Sequence, residues 1–230
     1  MSKKLTIMSG LALRGAMDAV IVPKFEKETG IKVEIRWDPT TVVMQAVADG
    51  ARSDIVILTD QATAELEQKG IVIPDSKARL AQAVLGLGVL KGAPRADIST
   101  TEAFKQAVVN ARSVAFSRGG ASGIYFDKLI EKLGVAEPVR QKATVIPAGF
   151  TAEQLVNGKA DLAVQQISEL LVVPGVDIVG PFPPELQSPT PFTASIMTDS
   201  TQADDAAKLI QAMLTPEAMK AQEDSGLMLR

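Results

Sequence analysis

The residues best suited to chemistry lie in one glycine-rich loop, residues 117–123, which reads Ser-Arg-Gly-Gly-Ala-Ser-Gly. The glycines of such a loop expose backbone N–H groups, the serines add hydroxyl donors, and Arg118 adds a full positive charge. A helix is predicted to begin directly after the loop, where free N–H groups favour an anion. We therefore expect Arg118, Gly120 and Ser122 to bind an anionic ligand. The alternative is that Ser122 only caps the helix and Arg118 is a solvated surface residue.

Three further loops carry hydroxyl, small or charged residues where a predicted strand ends and a predicted helix begins. Ligands of α/β proteins bind at that position. These candidate ligand residues are Ser9, Arg14, Thr40, Thr41, Gly149 and Phe150. The hydroxyl residues among them have a second interpretation as helix caps, and Arg14 has one as a solvated arginine.

Two adjacent amides, Gln165 and Gln166, stand at the end of another predicted strand. Amide side chains there can donate hydrogen bonds to ligand oxygens, so both are candidate ligand residues. The alternative is a polar cap on the helix that follows.

Composition excludes several kinds of chemistry. The chain of 230 residues has no cysteine and no histidine, which excludes disulfides, thiolate chemistry, the Ser-His-Asp triad and every histidine metal site. Residues 10–15 have the glycine spacing of a Walker A loop but lack its Lys and hydroxyl residue. A net charge of −3 and 4% aromatic residues argue against nucleic acid as a partner. No metal and no cofactor is expected.

The hydropathy of the chain argues against insertion into a membrane. The longest strongly apolar run, residues 83–90, has eight residues, whereas a spanning helix needs about 20. The first predicted strand begins at Leu5, with no leader-like segment before it. Two interpretations follow: a cytoplasmic protein, or one whose leader has been removed.

The candidate residues are positioned by strands and helices that alternate along the chain, over about 80 residues and then over about 70. This alternation is typical of open, mainly parallel α/β sheets flanked by helices, and it predicts two lobes. Two stretches interrupt it: the apolar run 83–90 and residues 181–191, whose five prolines exclude a helix and a central strand. We interpret both as crossovers. Lobe 1 is then 1–84 with 192–230, lobe 2 is 85–191, and the ligand is expected in a cleft between them.

Several phrases of the sequence resemble the periplasmic molybdate-binding proteins, in the right order and over nearly the whole chain. They are residues 4–7, 25–33, 50–55, 157–163 and 214–218. The resemblance implies a type II periplasmic-binding-protein fold with an oxyanion in its cleft, a periplasmic location and an ABC permease as partner. By position it aligns the hydroxyl of Thr40, the backbone donor at Ser122 and a donor near Gly149 or Phe150 with family ligand positions.

The resemblance weakens at two of those positions. Ala12 stands where the family usually has a serine, and Gln166 where it has a tyrosine. Molybdate sites of the family use neutral donors, whereas two arginines and two glutamines suit a carboxylate better.

Two functions remain open. The first is a solute-binding protein that captures a small anion, with a small carboxylate favoured over an oxyanion. The second is a cofactor-independent isomerase, because the family has a branch similar to aconitate isomerase, which moves a proton along an unsaturated tricarboxylate. The acid/base group would then be Glu169, Tyr125, a lysine or an aspartate with a shifted pKa.

Overall fold

The computed structural model describes residues 3–229, and eleven strands and eleven α-helices are assigned within them. The strands are β1 (Lys4–Ser9), β2 (Lys32–Trp37), β3 (Ile55–Thr59), β4 (Ala78–Ala83), β5 (Leu85–Leu90), β6 (Val114–Ser117), β7 (Thr144–Ile146), β8 (Leu162–Gln166), β9 (Val176–Pro181), β10 (Thr190–Ile196) and β11 (Met228–Leu229). The helices are α1 (Arg14–Ala16), α2 (Val22–Thr29), α3 (Thr40–Ala48), α4 (Asp60–Gln68), α5 (Thr101–Asn110), α6 (Ala121–Lys132), α7 (Ala136–Arg140), α8 (Glu153–Val156), α9 (Ile167–Leu170), α10 (Ala203–Met213) and α11 (Pro216–Asp224).

The chain forms two compact units. Unit 1 comprises Met1–Ala83 and Thr190–Arg230, and unit 2 comprises Val84–Pro189. Each unit has its own sheet, so each can position a set of loops.

The sheet of unit 1 has six strands in the order β11-β4-β10-β3-β1-β2. Strand β1 pairs in parallel with β2 and β3, whereas β10 is antiparallel to both β3 and β4. The run Ile-Val-Ile-Leu at the start of β3 is fully buried, as expected for a strand covered on both faces. The two core clusters of this unit lie on opposite faces of the sheet. One contains Leu13, Met17 and Leu209, and the other contains Val43 and Leu66.

A helical stretch in unit 1 passes through Pro23 without interruption, although a proline within a helical pattern ordinarily bends or breaks the helix. Helices α1 and α2 are joined by a π-helical turn at Met17–Ile21, in which the Val22 N–H donates to the Met17 carbonyl. Pro23 follows at the start of α2, where a missing N–H costs little because the wider turn has already shifted the hydrogen-bond pattern.

The sheet of unit 2 has five strands in the order β7-β6-β8-β5-β9. Strand β6 is parallel to β7 and β8, and β5 is antiparallel to β8 and β9. On one face Phe104 packs edge to face on Phe182, and Phe126 lies next to Phe182 with its ring tilted, within the larger core. On the other face Leu155 and Leu170 bring α8 and α9 against the sheet. This arrangement places the ends of β6 and β8 beside the loops that carry the candidate residues.

The proline-rich stretch differs from the prediction that it excludes a central strand. Strand β10 already begins at Thr190 and contains Pro191, in the middle of the sheet order. Thr190 and Pro191 pair with β4 only, and pairing with β3 starts at Phe192. A proline is tolerated there because one side of the strand is still unpaired.

Within residues 3–229, no helix combines the length and the apolar character needed to cross a bilayer.

Candidate functional site

The glycine-rich loop of unit 2 joins the end of β6 to the start of α6. Gly120 is the N-cap residue of α6, with an extended backbone and no capping side chain. Two backbone bonds fix the loop, from the Arg118 N–H to the Ile146 carbonyl (2.8 Å) and from the Gly119 N–H to the Pro147 carbonyl (3.2 Å). Ser122 therefore does not act as the helix cap.

Two glycines allow this loop to fold tightly around Ser117. A Cβ atom added at Gly123 would lie 1.7 Å from the Ser117 carbonyl oxygen, and one added at Gly120 would lie 2.5 Å from the Ser117 hydroxyl. Both distances are far below van der Waals contact. The glycine spacing thus serves a close approach of α6 to the end of β6.

We expect Gly123→Ala to destabilise unit 2, because its methyl group would collide with backbone that cannot move aside. The expected loss of unfolding free energy is at least about 1 to 3 kcal/mol, the usual range for overpacking. Thermal unfolding measures it, with Ser122→Ala as the control, whose hydroxyl has no hydrogen-bond partner among the described residues. Equal melting temperatures for both variants and the wild type would contradict the tight packing.

Arg118 differs from the other arginines. Within residues 3–229, the remaining seven each form an ion pair with an aspartate or a glutamate: Arg14, Arg36, Arg52, Arg79, Arg95, Arg112 and Arg140. The Arg118 side chain is exposed and has no such partner in this part of the chain. A planar guanidinium with five donors therefore remains free to bind an anion.

Two serines belong to the same loop as Arg118. Ser122 is the second residue of α6 and is 4% exposed. Ser117, at the end of β6, is 2% exposed, and its Oγ is buried without a hydrogen-bond partner. A buried hydroxyl without a partner is uncommon, because it loses its bonds to water. The sequence places Ser117 in the loop without indicating a role for it, and the structure makes it an additional candidate ligand residue.

The loop between β7 and α8 is held by Gln165. Its Oε1 accepts from the Thr151 N–H (2.8 Å) and the Thr151 hydroxyl (2.9 Å), and its Nε2 donates to the Gly149 carbonyl (3.0 Å). Gly149 has a φ of 95°, which favours glycine, and Phe150 is buried. These bonds occupy the Gln165 amide, so Gln165 positions the loop and does not donate directly to a ligand.

Polar atoms without partners flank the start of α9. The Oε1 atom of Gln166 and the Oγ atom of Ser168 are both buried and lack a hydrogen-bond partner. Gln166 lies opposite Leu85 on the neighbouring strand and is 2% exposed. Buried polar atoms of this kind are candidates for contact with a ligand or an ordered water.

Glu169 lies in α9 and is 8% exposed. Burial raises the pKa of its carboxyl group to about 8, and the nearby Gln165 amide opposes this only in part. The carboxyl is therefore mostly protonated at neutral pH. Tyr125, another acid/base candidate, donates its hydroxyl proton to the Leu186 carbonyl (3.1 Å), so that proton is engaged within unit 2.

The unit 1 candidates are largely engaged within their own loops. The Ser9 hydroxyl is fully buried and donates to the Gly10 carbonyl (2.9 Å), so its proton is not available to a ligand. Arg14 Nε donates to Asp18 Oδ2 (3.2 Å), one helical turn later. Arg14 is thus a paired residue, in contrast to Arg118.

The second loop of unit 1 keeps one available hydroxyl. The Ser9 carbonyl accepts from the Asp38 N–H (3.1 Å), which brings the first two loops of this unit together. Thr40 and Thr41 are the first residues of α3, and Pro39, which has no capping side chain, is its N-cap. Thr40 is half-buried, and its hydroxyl has no partner among the described residues.

Among residues 3–229, no three acidic side chains come close enough together to hold a metal ion.

Comparisons with known proteins agree with this architecture. The model of the bacterial extracellular solute-binding protein family matches residues 5–228. The aconitate isomerase of a Pseudomonas species is 34% identical over 229 residues, 97% of this chain and 87% of that protein. The molybdate-binding protein of Escherichia coli K12 is 23% identical over 215 residues, 87% of this chain and 79% of that protein.

A solved structure confirms the predicted fold class. The periplasmic molybdate-binding protein of Azotobacter vinelandii has a TM-score of 0.81 at 20% identity, and the match covers 98% of this chain and 99% of that one. Two sheets flanked by helices are common to both. This chain therefore belongs to the bacterial extracellular solute-binding protein family.

Proposed function

We propose that this protein captures a small carboxylate anion and that Arg118 supplies the charge that holds it. The observation that carries the proposal is the state of Arg118, the one arginine of residues 3–229 without a carboxylate partner. An arginine fork matches the two oxygens of a carboxylate in one plane. Neutral N–H and hydroxyl donors can surround a tetrahedral oxyanion without such a charge, so a fixed arginine favours the carboxylate.

Neighbouring donors support the same ligand class. The Ser122 hydroxyl and the N–H groups at the start of α6 lie in the same loop as Arg118. Neutral donors beside one fixed charge suit an anion with several oxygen atoms.

A thermal-shift screen tests the ligand class. At 100 times its dissociation constant, a ligand stabilises the fold by about 2.7 kcal/mol, which for this chain length corresponds to roughly 5 to 10 °C. We expect di- and tricarboxylates to give shifts of this size and molybdate, tungstate and sulfate to give smaller ones. A large molybdate shift without any carboxylate response would reverse the ranking.

A second candidate function is isomerisation of a small unsaturated polycarboxylate. Two observations favour it: the 34% identity to an aconitate isomerase over nearly the full chain, and a buried acid in unit 2. Migration of a double bond needs carboxylate recognition and one acid/base group, but no cofactor. Carboxylate capture, unlike isomerisation, needs a partner protein, since the captured solute must be passed to a permease such as that of an ABC transporter.

Turnover separates the two functions. Incubation with trans-aconitate, followed by NMR of the isomer composition, detects the isomerase directly. Binding without any change of isomer over hours leaves capture as the function.

A further inference from the structure

One buried carboxyl group lacks the partners that the other buried carboxyl groups have. Asp54 accepts from the Thr6 N–H (2.8 Å) and the Ser200 hydroxyl (2.7 Å). Asp205 is paired with Lys3 (2.6 Å) and with a second lysine one turn later. Glu169 has no ion pair among the described residues, and its polar neighbour is the Gln165 amide.

The position of Glu169 is fixed by close packing of α9 on strand β5. A Cβ atom added at Gly86 would lie 2.5 Å from Ile167 Cγ1, whereas one added at Gly88 would make an ordinary contact of 3.4 Å with Leu170 Cδ2. Gly86 thus makes room for the first residue of α9, two positions before Glu169. This packing fixes the backbone that carries the buried Glu169 carboxyl, and acid/base catalysis requires a positioned group.

Hydrogen bonds connect Glu169 to a candidate ligand loop. The amide of Gln165 interacts with Glu169 and also binds the Gly149 carbonyl and Thr151. The residues on either side add two buried polar atoms without partners, Gln166 Oε1 and Ser168 Oγ. Unpartnered polar atoms at the end of a strand, next to the unpaired Glu169 carboxyl, indicate a binding site for a polar ligand.

We propose that Glu169 is the proton-transfer group of this protein and acts on a carbon-bound hydrogen of an unsaturated polycarboxylate. This inference rests on the second candidate function. The ionised Glu169 takes an allylic proton, so a C–H bond breaks and an O–H bond forms. The C–H electron pair becomes the new double bond, and the old double-bond pair moves to the far carbon. Glu169 then returns the proton to that carbon, so no oxidant, reductant or cofactor is needed.

The surroundings of Glu169 set the pH dependence of this step. Helix α9 packs on β5, β8 and β9, and among these elements the only other ionisable group is Asp177. Asp177 faces the Gly92 N–H (3.1 Å) and Arg95 (3.7 Å). Burial therefore dominates, and it raises the pKa of Glu169 to about 8. Since the base must be ionised, kcat/KM is expected to rise with pH and to level off above about pH 8.

The experiment follows trans-aconitate in D2O by proton NMR, at pH 6 to 9.5, with the full chain and a protein-free control. Glu169→Gln keeps the shape of the side chain and removes its proton transfer. We expect isomerisation to fall about 100-fold or more, the usual scale for losing an acid/base group, while the thermal shift with trans-aconitate is retained. The matched control is Glu137→Gln, an exposed glutamate of α7, which should behave as the wild type.

The outcomes separate the inference from the function on which it rests. Wild-type binding with no isomerisation at pH 9 would overturn both the isomerase function and the role of Glu169, and would leave carboxylate capture. Wild-type isomerisation that persists in Glu169→Gln would keep the isomerase and overturn the inference. If Glu169→Gln does not fold, the wild-type pH profile decides: a rise that levels off above about pH 8 supports Glu169, and a flat profile overturns it.

Discussion

Replacing Arg118 with alanine is expected to weaken carboxylate binding by about 2 to 4 kcal/mol, or roughly 30- to 1,000-fold in dissociation constant. The reason is that a bound carboxylate would lose a two-point, charge-assisted contact and no other described arginine is free to replace it. Isothermal titration with the best ligand of the thermal-shift screen measures the effect. Stability without ligand should barely change, because the side chain is exposed and unpaired.

Two further variants make this result specific. Arg118→Lys should restore binding only in part, because an ammonium group lacks the planar fork. Arg112→Ala is the matched control: Arg112 precedes strand β6 as Arg118 follows it, and it is paired with Asp161 (2.8 Å). We expect Arg112→Ala to leave the dissociation constant unchanged. Equal affinities of Arg118→Ala and the wild type would show that Arg118 is a surface residue outside the ligand site.

Raising the pH from 5 to 9 is expected to lower the unfolding free energy by several kcal/mol, and Glu169 is the cause. Its pKa is about 8 in the folded state against an ordinary value of 4.5, so the unfolded chain releases this proton first. The stabilising contribution is therefore complete below about pH 4.5 and is lost as the pH rises through 8. Between pH 5 and 9 the loss corresponds to roughly 4 kcal/mol, because about 1.4 kcal/mol is lost for each pH unit from 5 to 8.

The pH window is favourable because few other groups titrate in it. The chain has no histidine and no cysteine, the side chains that ordinarily change charge between pH 6 and 9. Urea unfolding at pH 5, 7 and 9 measures the loss, with Glu169→Gln as the control that should flatten the profile. A wild-type profile as flat as that of Glu169→Gln would show that Glu169 is ionised in the folded protein.

The sequence predicted the fold class because its signals are local. Helices followed by glycine and the buried run of β3 follow from periodicity and turn chemistry alone. The antiparallel strands were harder to predict, since their pairing depends on distant residues. Strand β9, with glycine and proline near its end, has a weak local pattern and is stabilised by pairing with β5. The same reason explains why the prediction at Pro191 was wrong. A proline is tolerated at this position of β10 because pairing with β3 begins only at the next residue.

The candidate site was predictable by residue type but not by partner. Gln165 and Gln166 read alike in the sequence, yet the first is fully engaged with Thr151 and Gly149 while the second keeps an unpartnered oxygen. Arg14 and Arg118 likewise differ only in whether a carboxylate lies within reach. The Arg14–Asp18 pair follows the i,i+4 spacing of a helix, whereas the difference between the two glutamines arises from tertiary contacts, which no spacing rule encodes. The same holds for Glu169, whose pKa depends on burial.

The π-helical turn at Met17–Ile21 gives this chain a position where its length can change by one residue. A π turn contains one residue more than an α turn, so deleting Ala19, which is exposed, converts the segment to regular helix and leaves Phe25 on the core face. The same deletion within α10, which has no such turn, would rotate every later residue by roughly 100°. Insertions and deletions among relatives are therefore expected to accumulate at Met17–Ile21 and to be absent from α10.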